Sequence, residues 1–242
     1  MVDEIFLKRG ETGFLLIHGL CKSPKELESI AKKLAEHGFT VYCPRLPGHG
    51  TCPLEYETCF RELPKVTYED WEKSVDKAFL KLQQEVNKVY VGGVSLGANL
   101  SLLLANKHNV EGIISLGAVI FTKGVLPIGS AAAFIAERLL KRGHTEAVYH
   151  GISVSNLVKM KEAIRKVKDV IPMIKAPILI MHSLYDDIVQ PRSAQYIYKK
   201  IGSKRKKLVW LKGRHHGIDA IEDTALIVKK ICEFVNADEP ID

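Results

Sequence analysis

Residues 88–100, with the sequence KVYVGGVSLGANL, decide the fold of this chain. The stretch opens with β-branched and apolar residues typical of a buried strand, and the apolar run from Leu96 to Ala105 is typical of a buried helix. Between them stands the pattern Gly-x-Ser-x-Gly, centred on Ser95. Gly93 and Gly97 lack the Cβ atoms that would collide in so sharp a turn. The pattern therefore predicts a nucleophile elbow that exposes the Ser95 hydroxyl.

The composition indicates the broad class of protein. The chain has 242 residues, of which 46% are hydrophobic and 26% are charged, as in an ordinary single α/β domain. It has no run of about 18 apolar residues, so we expect no stable membrane insertion. Residues 1–9 start acidic and lack a long apolar core, which argues against a signal peptide and predicts a cytoplasmic protein.

The basic charge of the chain is spread rather than concentrated. The formal net charge is +7, and the densest basic run is KRKK at residues 204–207. Nucleic-acid-binding proteins cluster such charge on one surface. This run has no aromatic residues interleaved with it and lies between a predicted helix and a predicted strand. We interpret it as a solvated loop and expect no nucleic-acid partner.

The five cysteines show neither a Cys-x-x-Cys pair nor a metal-like spacing with histidine. They are Cys21, Cys43, Cys52, Cys59 and Cys232. In a reducing compartment we expect free thiols, and we expect no metal site.

Short apolar runs alternate with helical patterns along most of the chain, which predicts an α/β fold with a mostly parallel sheet and crossover helices. The predicted strands are 14–17, 40–43, 89–91, 112–116, 177–181 and 207–210. The predicted helices are 25–37, a helix capped by Thr67 that runs to about residue 85, 96–105, 193–200 and 220–236.

Residues 120–172 break this alternation with small-residue, apolar and basic amphipathic segments. Because they follow the strand after the elbow, we expect a helical cap, or lid, over the nucleophile. An extra pair of packing helices without a gating role is the alternative. The core domain then comprises residues 1–119 and 173–242.

A serine hydroxyl is a weak nucleophile and needs a base, which in turn needs a third group to orient it. On this topology the chain order is serine, acid, histidine, with the acid after a later strand. Asp186 is the favoured acid and Asp187 is the alternative. His216 is the favoured base and His215 is the alternative.

The oxyanion of a tetrahedral intermediate needs two backbone N–H donors. Leu96, directly after the nucleophile, is expected to supply one. Leu20 is expected to supply the other from the loop after the first core strand, where Gly19 permits the sharp turn. Gly19 and Cys21 are therefore candidates to border the substrate, although an inert packed thiol is the favoured interpretation of Cys21.

Taken together, these motifs resemble the α/β-hydrolases, and more narrowly the small bacterial carboxylesterases that group with monoacylglycerol lipases. The blocks that carry the resemblance are LLIHG at 15–19, PRLPGHG at 44–50, YEDW at 68–71, GVSLG at 93–97, YDD at 185–187 and His216 with its flank. They extend over nearly the whole chain.

The resemblance implies a Ser95-His216-Asp186 triad, oxyanion donors at Leu20 and Leu96, and a small helical cap. The spacing from acid to histidine matches the family when Asp186 and His216 are paired. The chain departs from the family at three places: Ala98 stands where a second glycine is common, the site histidine is doubled, and Leu20-Cys21 replaces an aromatic and a small residue.

The expected function is hydrolysis of short- to medium-chain carboxylic esters through an acyl-enzyme on Ser95, with a small-molecule ester as partner and no cofactor. Monoacylglycerol lipase and acyl thioesterase activities are the alternatives within the same chemistry. A catalytically silent ligand-binding protein is the alternative outside it, because the fold alone does not fix function. The sequence does not indicate an oligomeric state.

Overall fold

The structure is a computed structural model. It describes residues 4–50, 62–123, 148–149, 152–212, 216 and 221–237, without the side chains of 148–149, 152–155 and 221–223.

A seven-stranded sheet forms the centre of the described part of the chain. Its strands in chain order are β1 (Ile5–Leu7), β2 (Thr12–Ile17), β3 (Thr40–Cys43), β4 (Lys88–Val94), β5 (Gly112–Leu116), β8 (Ile178–Ser183) and β9 (Lys206–Leu211). Two further strands, β6 (Val148–Tyr149) and β7 (Ile152–Ser153), form a separate antiparallel pair. The order across the sheet is β1-β3-β2-β4-β5-β8-β9. Every neighbouring pair is parallel except β1 with β3.

Helices cover both faces of this sheet. They are α1 (Glu28–Glu36), α2 (Tyr68–Gln83), α3 (Leu96–Lys107), α4 (Val154–Val170), α5 (Arg192–Lys200) and α6 (Ile221–Val235). Apolar residues of α2, α3, α4 and α5 pack on one face, and those of α1 and α6 pack on the other. The central strands are buried on both sides, which explains their continuous apolar runs. The predicted α/β architecture is confirmed.

The first turn of α2 contains the N-terminal cap that the sequence predicted at Thr67. Thr67 accepts a hydrogen bond from the Asp70 N–H, and the Asp70 carboxylate accepts one from the Thr67 N–H. This reciprocal capping box satisfies backbone donors that have no partner within the helix. The predicted cap at Thr67 is therefore formed.

Part of the segment expected to be a cap lies outside the described residues, namely 124–147 and 150–151. Its described remainder includes α4, which packs on α3, the helix that follows the elbow. Lys166 on α4 lies 2.6 Å from the Glu72 carboxylate on α2. The described part of the segment is thus tied to the core, and the role of the segment as a lid remains a prediction.

Several features differ from the expectations, among them the short β6–β7 pair, which was not predicted. β1 adds an antiparallel edge strand that was not predicted, because three apolar residues near the start of the chain give no periodic signal. Cys21 is disulfide-bonded, so the expectation of free thiols is wrong there. Among the other described cysteines, Cys43 and Cys232 are free.

No helix in the described ranges combines the length and the apolar character needed to cross a bilayer.

Candidate active site

Ser95 lies in a strained turn between β4 and α3. Its backbone has φ 54° and ψ −114°, a left-handed conformation that a residue with a Cβ rarely adopts. The Ser95 N–H donates to the Leu116 carbonyl oxygen at 2.9 Å, which fixes the turn to the neighbouring strand. Strain of this kind persists only where the surroundings impose it, and it is concentrated at functional sites.

The two glycines of the motif allow α3 to begin directly against the end of β2. A Cβ on Gly97 or on Gly93 would clash with the Ile17 carbonyl oxygen. Because the atom it would meet is backbone, no side-chain movement could make room. The Gly-x-Ser-x-Gly pattern is therefore a packing requirement as well as a turn requirement.

The structure brings the three favoured triad residues into one hydrogen-bonded series. Ser95 Oγ lies 2.8 Å from His216 Nε2, and His216 Nδ1 lies 2.7 Å from Asp186 Oδ2. The carboxylate can only accept, so Nδ1 carries the proton and Nε2 accepts the hydrogen bond from the serine hydroxyl. This is the tautomer that a general base for Ser95 requires.

Asp186 is buried, and both of its carboxylate oxygens accept hydrogen bonds. Its Oδ1 accepts hydrogen bonds from the N–H groups of Ile188 at 2.9 Å and Val189 at 2.7 Å. Burial by itself would raise the pKa of Asp186, but the hydrogen bond from His216 and those from the two backbone donors outweigh it, so the pKa lies below its usual value. The carboxylate stays ionised beside the histidine.

Asp187, the alternative acid, has a different position. Its Oδ1 accepts a hydrogen bond from the backbone N–H of His216 at 2.8 Å, so it contacts the histidine loop and not the imidazole of His216. This contact holds the loop beside the acid turn. The alternative base, His215, lies outside the described residues.

The loop expected to hold the second oxyanion donor lies beside the nucleophile. A Cβ built on Gly19 would be 3.6 Å from the Ser95 Cβ. The Gly19 N–H donates to the Glu26 carboxylate at 2.7 Å. The role of Leu20 and Leu96 as oxyanion donors stays a prediction, but Leu96 begins α3, where N–H groups have no intrahelical acceptor.

A buried histidine fixes the peptide between Gly19 and Leu20. His18 Nε2 accepts a hydrogen bond from the Leu46 N–H at 3.1 Å, so Nδ1 carries the proton and donates to the Gly19 carbonyl oxygen at 2.9 Å. Burial lowers the pKa of His18 to about 4, so the ring is neutral at pH 7. Because a trans peptide is planar, fixing this carbonyl also fixes the direction of the Leu20 N–H.

Cys21, expected at the border of the substrate site, follows this peptide with φ 60°. It is partly buried against the core and is disulfide-bonded. The free thiol is therefore replaced by a cross-link, and the expectation that Cys21 borders the substrate stays a prediction.

Several supporting residues escaped the sequence analysis. The buried side chain of Asn99 accepts from the Val119 N–H at 2.8 Å and donates to the Val119 carbonyl oxygen at 3.0 Å, which holds the segment after β5. Gly117, with φ 59°, faces the His216 ring, and a Cβ there would lie 3.4 Å from its Cε1 atom. The available signals were an asparagine in an apolar helix and a glycine directly after a strand.

The elbow, the parallel sheet and the hydrogen-bonded series define a class, the hydrolases that carry a serine nucleophile on an α/β sheet. Residues 13–147 match the family model described as alpha/beta hydrolase fold, and the chain belongs to that family. Residues 143–222 match a second model, described as serine aminopeptidase, S33.

Two of the similar curated proteins come from Bacillus species. A thermostable monoacylglycerol lipase from Bacillus sp. (strain H-257) is 28% identical over 240 residues, covering 96% of this chain and 93% of the relative. A carboxylesterase from Bacillus subtilis (strain 168) is 25% identical over 244 residues, covering 94% of each. The resemblance found in the motifs is thus confirmed over nearly the full chain.

Solved structures give the same result for the fold. A structure from the metagenome-derived lipolytic enzymes LipS and LipT superposes with a TM-score of 0.81 at 26% identity and covers 96% of both chains. The monoacylglycerol lipase of Paleococcus ferrophilus superposes with a TM-score of 0.75 at 19% identity, covering 96% of this chain and 97% of that one.

Proposed function

We propose that this chain is a carboxylic ester hydrolase that works through an acyl-enzyme on Ser95. The observation that carries the proposal is the unbroken series from Ser95 Oγ through His216 to the Asp186 carboxylate, at 2.8 Å and 2.7 Å. The relatives named carboxylesterase and monoacylglycerol lipase support the ester substrate class.

In the first half-reaction Ser95 Oγ attacks the acyl carbonyl carbon while His216 Nε2 takes the hydroxyl proton. Asp186 stabilises the imidazolium that forms, because its carboxylate is ionised and already accepts a hydrogen bond from the Nδ1–H group. The carbonyl oxygen becomes an oxyanion, which the N–H groups of Leu96 and Leu20 bind. His216 then protonates the leaving alcohol, and the acyl group stays on Ser95.

In the second half-reaction His216 removes a proton from water, which attacks the acyl-enzyme and releases the carboxylic acid. His216 returns the proton to Ser95 Oγ. Each step uses the same base and the same oxyanion donors. The chemistry proposed here uses side chains and backbone groups of this chain alone.

We assign short- to medium-chain esters as the substrate class. Monoacylglycerol is the second candidate, supported by the similarity to the Bacillus monoacylglycerol lipase. A silent binding role is disfavoured, since such proteins need neither the hydrogen-bonded base nor the strained turn at Ser95.

A cytoplasmic location belongs to the same proposal. The Cys21 disulfide is the feature that weighs against this location, since disulfides are rare in reducing compartments.

A panel of p-nitrophenyl esters from acetate to dodecanoate, with 1-monoacylglycerols in parallel, tests the proposal. Wild type is expected to show a rate maximum at short or medium acyl length. Ser95→Ala is expected to lower kcat by about 10⁴-fold or more, because the nucleophile is lost. Ser29→Ala, at an exposed position of α1, is the matched control and should retain wild-type rates.

Folding of each variant is checked by circular dichroism. A folded wild type that hydrolyses no ester of the panel would contradict the proposal. Thioester hydrolysis or a ligand-binding role would then be favoured instead. Undiminished turnover by Ser95→Ala would exclude Ser95 as the nucleophile.

A further inference from the structure

His182, near the end of β8, is a buried histidine that the catalytic cycle above does not use. Only 1% of the residue is exposed. Its Nε2 lies 3.4 Å from Asp186 Oδ2 and donates to the Val189 carbonyl oxygen, also at 3.4 Å. The sequence analysis gave this residue no role, because its position four residues before the acid becomes meaningful only when the loop folds back.

The surroundings of the ring define its tautomer. Both neighbours of Nε2 are oxygens that can only accept, so Nε2 carries the proton. Nδ1 is buried and has no hydrogen-bond partner in the part of the chain that the structure describes. A bare lone pair at Nδ1 is less costly there than a buried N–H. Burial lowers the pKa of His182, which keeps the ring neutral at pH 7.

We propose that His182 is a positioning residue for the triad, holding the turn 186–189 through the Val189 carbonyl and setting its Nε2–H dipole against the Asp186 carboxylate. This inference rests on the proposed roles of Asp186 and His216. It adds a third histidine to those considered for catalysis and gives it a task other than proton transfer.

The positioning works through Val189. The N–H of Val189 donates to Asp186 Oδ1 at 2.7 Å, while its carbonyl oxygen accepts from His182. Both backbone groups of Val189 are thus fixed by hydrogen bonds. The Asp186 carboxylate cannot turn without breaking its hydrogen bond with the Val189 N–H. A small misplacement of a catalytic group is enough to lower the rate strongly.

The dipole of the His182 N–H also moderates the charge of Asp186. Among the described residues, the titratable groups that act on His182 are Asp186 and His216, and from β9 the neighbouring ring is the uncharged Trp210. When the N–H is removed, the carboxylate acts more strongly on the imidazolium form of His216. Protonation of His216 is then favoured, and acid inhibition sets in at higher pH.

Two substitutions separate this role from packing. His182→Met has a comparable volume without a donor, whereas His182→Gln supplies an N–H donor. We expect His182→Met to lower kcat about ten-fold or more with KM unchanged within about two-fold. The acid limb of its pH–rate profile should shift up by about half a pH unit. His182→Gln should recover most of the rate and the wild-type acid limb.

A lower melting temperature for His182→Met with wild-type kcat and acid limb would reduce His182 to a packing residue and overturn the proposal. Equal losses in the Met and Gln variants would also overturn it. Fluorophosphonate labelling of Ser95 gives the same comparison without an ester, so failure of the substrate assignment is distinguished from failure of this inference. If the Met variant does not fold, ¹⁵N NMR of the wild-type ring decides: protonated Nε2 supports the proposal, and protonated Nδ1 overturns it.

Discussion

At the scale of single residues, two buried imidazoles hold backbone carbonyls on either side of the nucleophile. His18 donates to the Gly19 carbonyl in the oxyanion loop, and His182 donates to the Val189 carbonyl in the acid turn. Burial lowers the pKa of both rings, so each remains a neutral donor at pH 7. A lysine or arginine could not replace His18, because a buried unpaired charge is far more costly.

The low pKa of His18 predicts how stability depends on pH. The native ring protonates at a pKa of about 4, whereas the unfolded one does so near 6.5. Between these values the unfolded state binds more protons, so the free energy of unfolding falls as the pH falls. The loss from this one residue should approach about 3 kcal/mol below pH 4. Urea unfolding between pH 7 and pH 4 measures it.

His18→Gln is the variant that isolates this contribution. It removes the titrating group, so its stability should change less steeply with pH than that of wild type. His49, whose pKa is also lowered by burial, contributes a slope of the same sign in both proteins. Identical slopes for wild type and His18→Gln would refute the assignment of a depressed pKa to His18.

At the scale of elements, the elbow is a junction where α3 begins against the end of β2. A Cβ on Gly97 would meet the Ile17 carbonyl oxygen, so Gly97→Ala must push the helix and the strand apart. We expect the free energy of unfolding to fall by more than about 3 kcal/mol. We also expect the variant to lose its activity. Chemical denaturation measures the first and ester hydrolysis the second.

Gly38→Ala provides the matched comparison. Gly38 has φ 87° and open space around its Cβ position, so alanine there suffers only from backbone strain. A loss of about 1 kcal/mol with full activity is expected. If both alanine variants lost the same stability, close packing at Gly97 would not explain the motif.

The sequence predicted elements and motifs whose signals are local. The central strands were visible because burial on both faces leaves continuous apolar runs, and α2 was visible because Thr67 and Asp70 form its cap. Asp186 and His216 lie next to each other as expected, because strand ends gather at one edge of a parallel sheet, and their catalytic roles stay proposals. The supporting contacts of His182 and Asn99 depend on loops that are distant in sequence and meet only in the folded chain. No local sequence pattern predicts these contacts.

At the scale of the whole molecule, the site is assembled from strands that are distant in sequence. β4, β8 and β9 precede Ser95, Asp186 and His216, the proposed nucleophile, acid and base, and β5 separates the first two strands. The segment after β5 carries Gly117, which has φ 59° and lies beside the His216 ring. The sheet order therefore places three loops around one point, and the supporting contacts adjust them to hydrogen-bonding distance.

The central claim is that this assembly activates Ser95, and the rate of labelling by a fluorophosphonate tests it most directly. Peptide mass spectrometry locates the adduct in wild type, Asp186→Asn and Asp187→Asn. The account predicts one adduct on Ser95, a rate lowered about 10³-fold or more in Asp186→Asn, and a rate within about ten-fold of wild type in Asp187→Asn. An unlabelled wild type, an adduct elsewhere, or equal losses in both variants would contradict it.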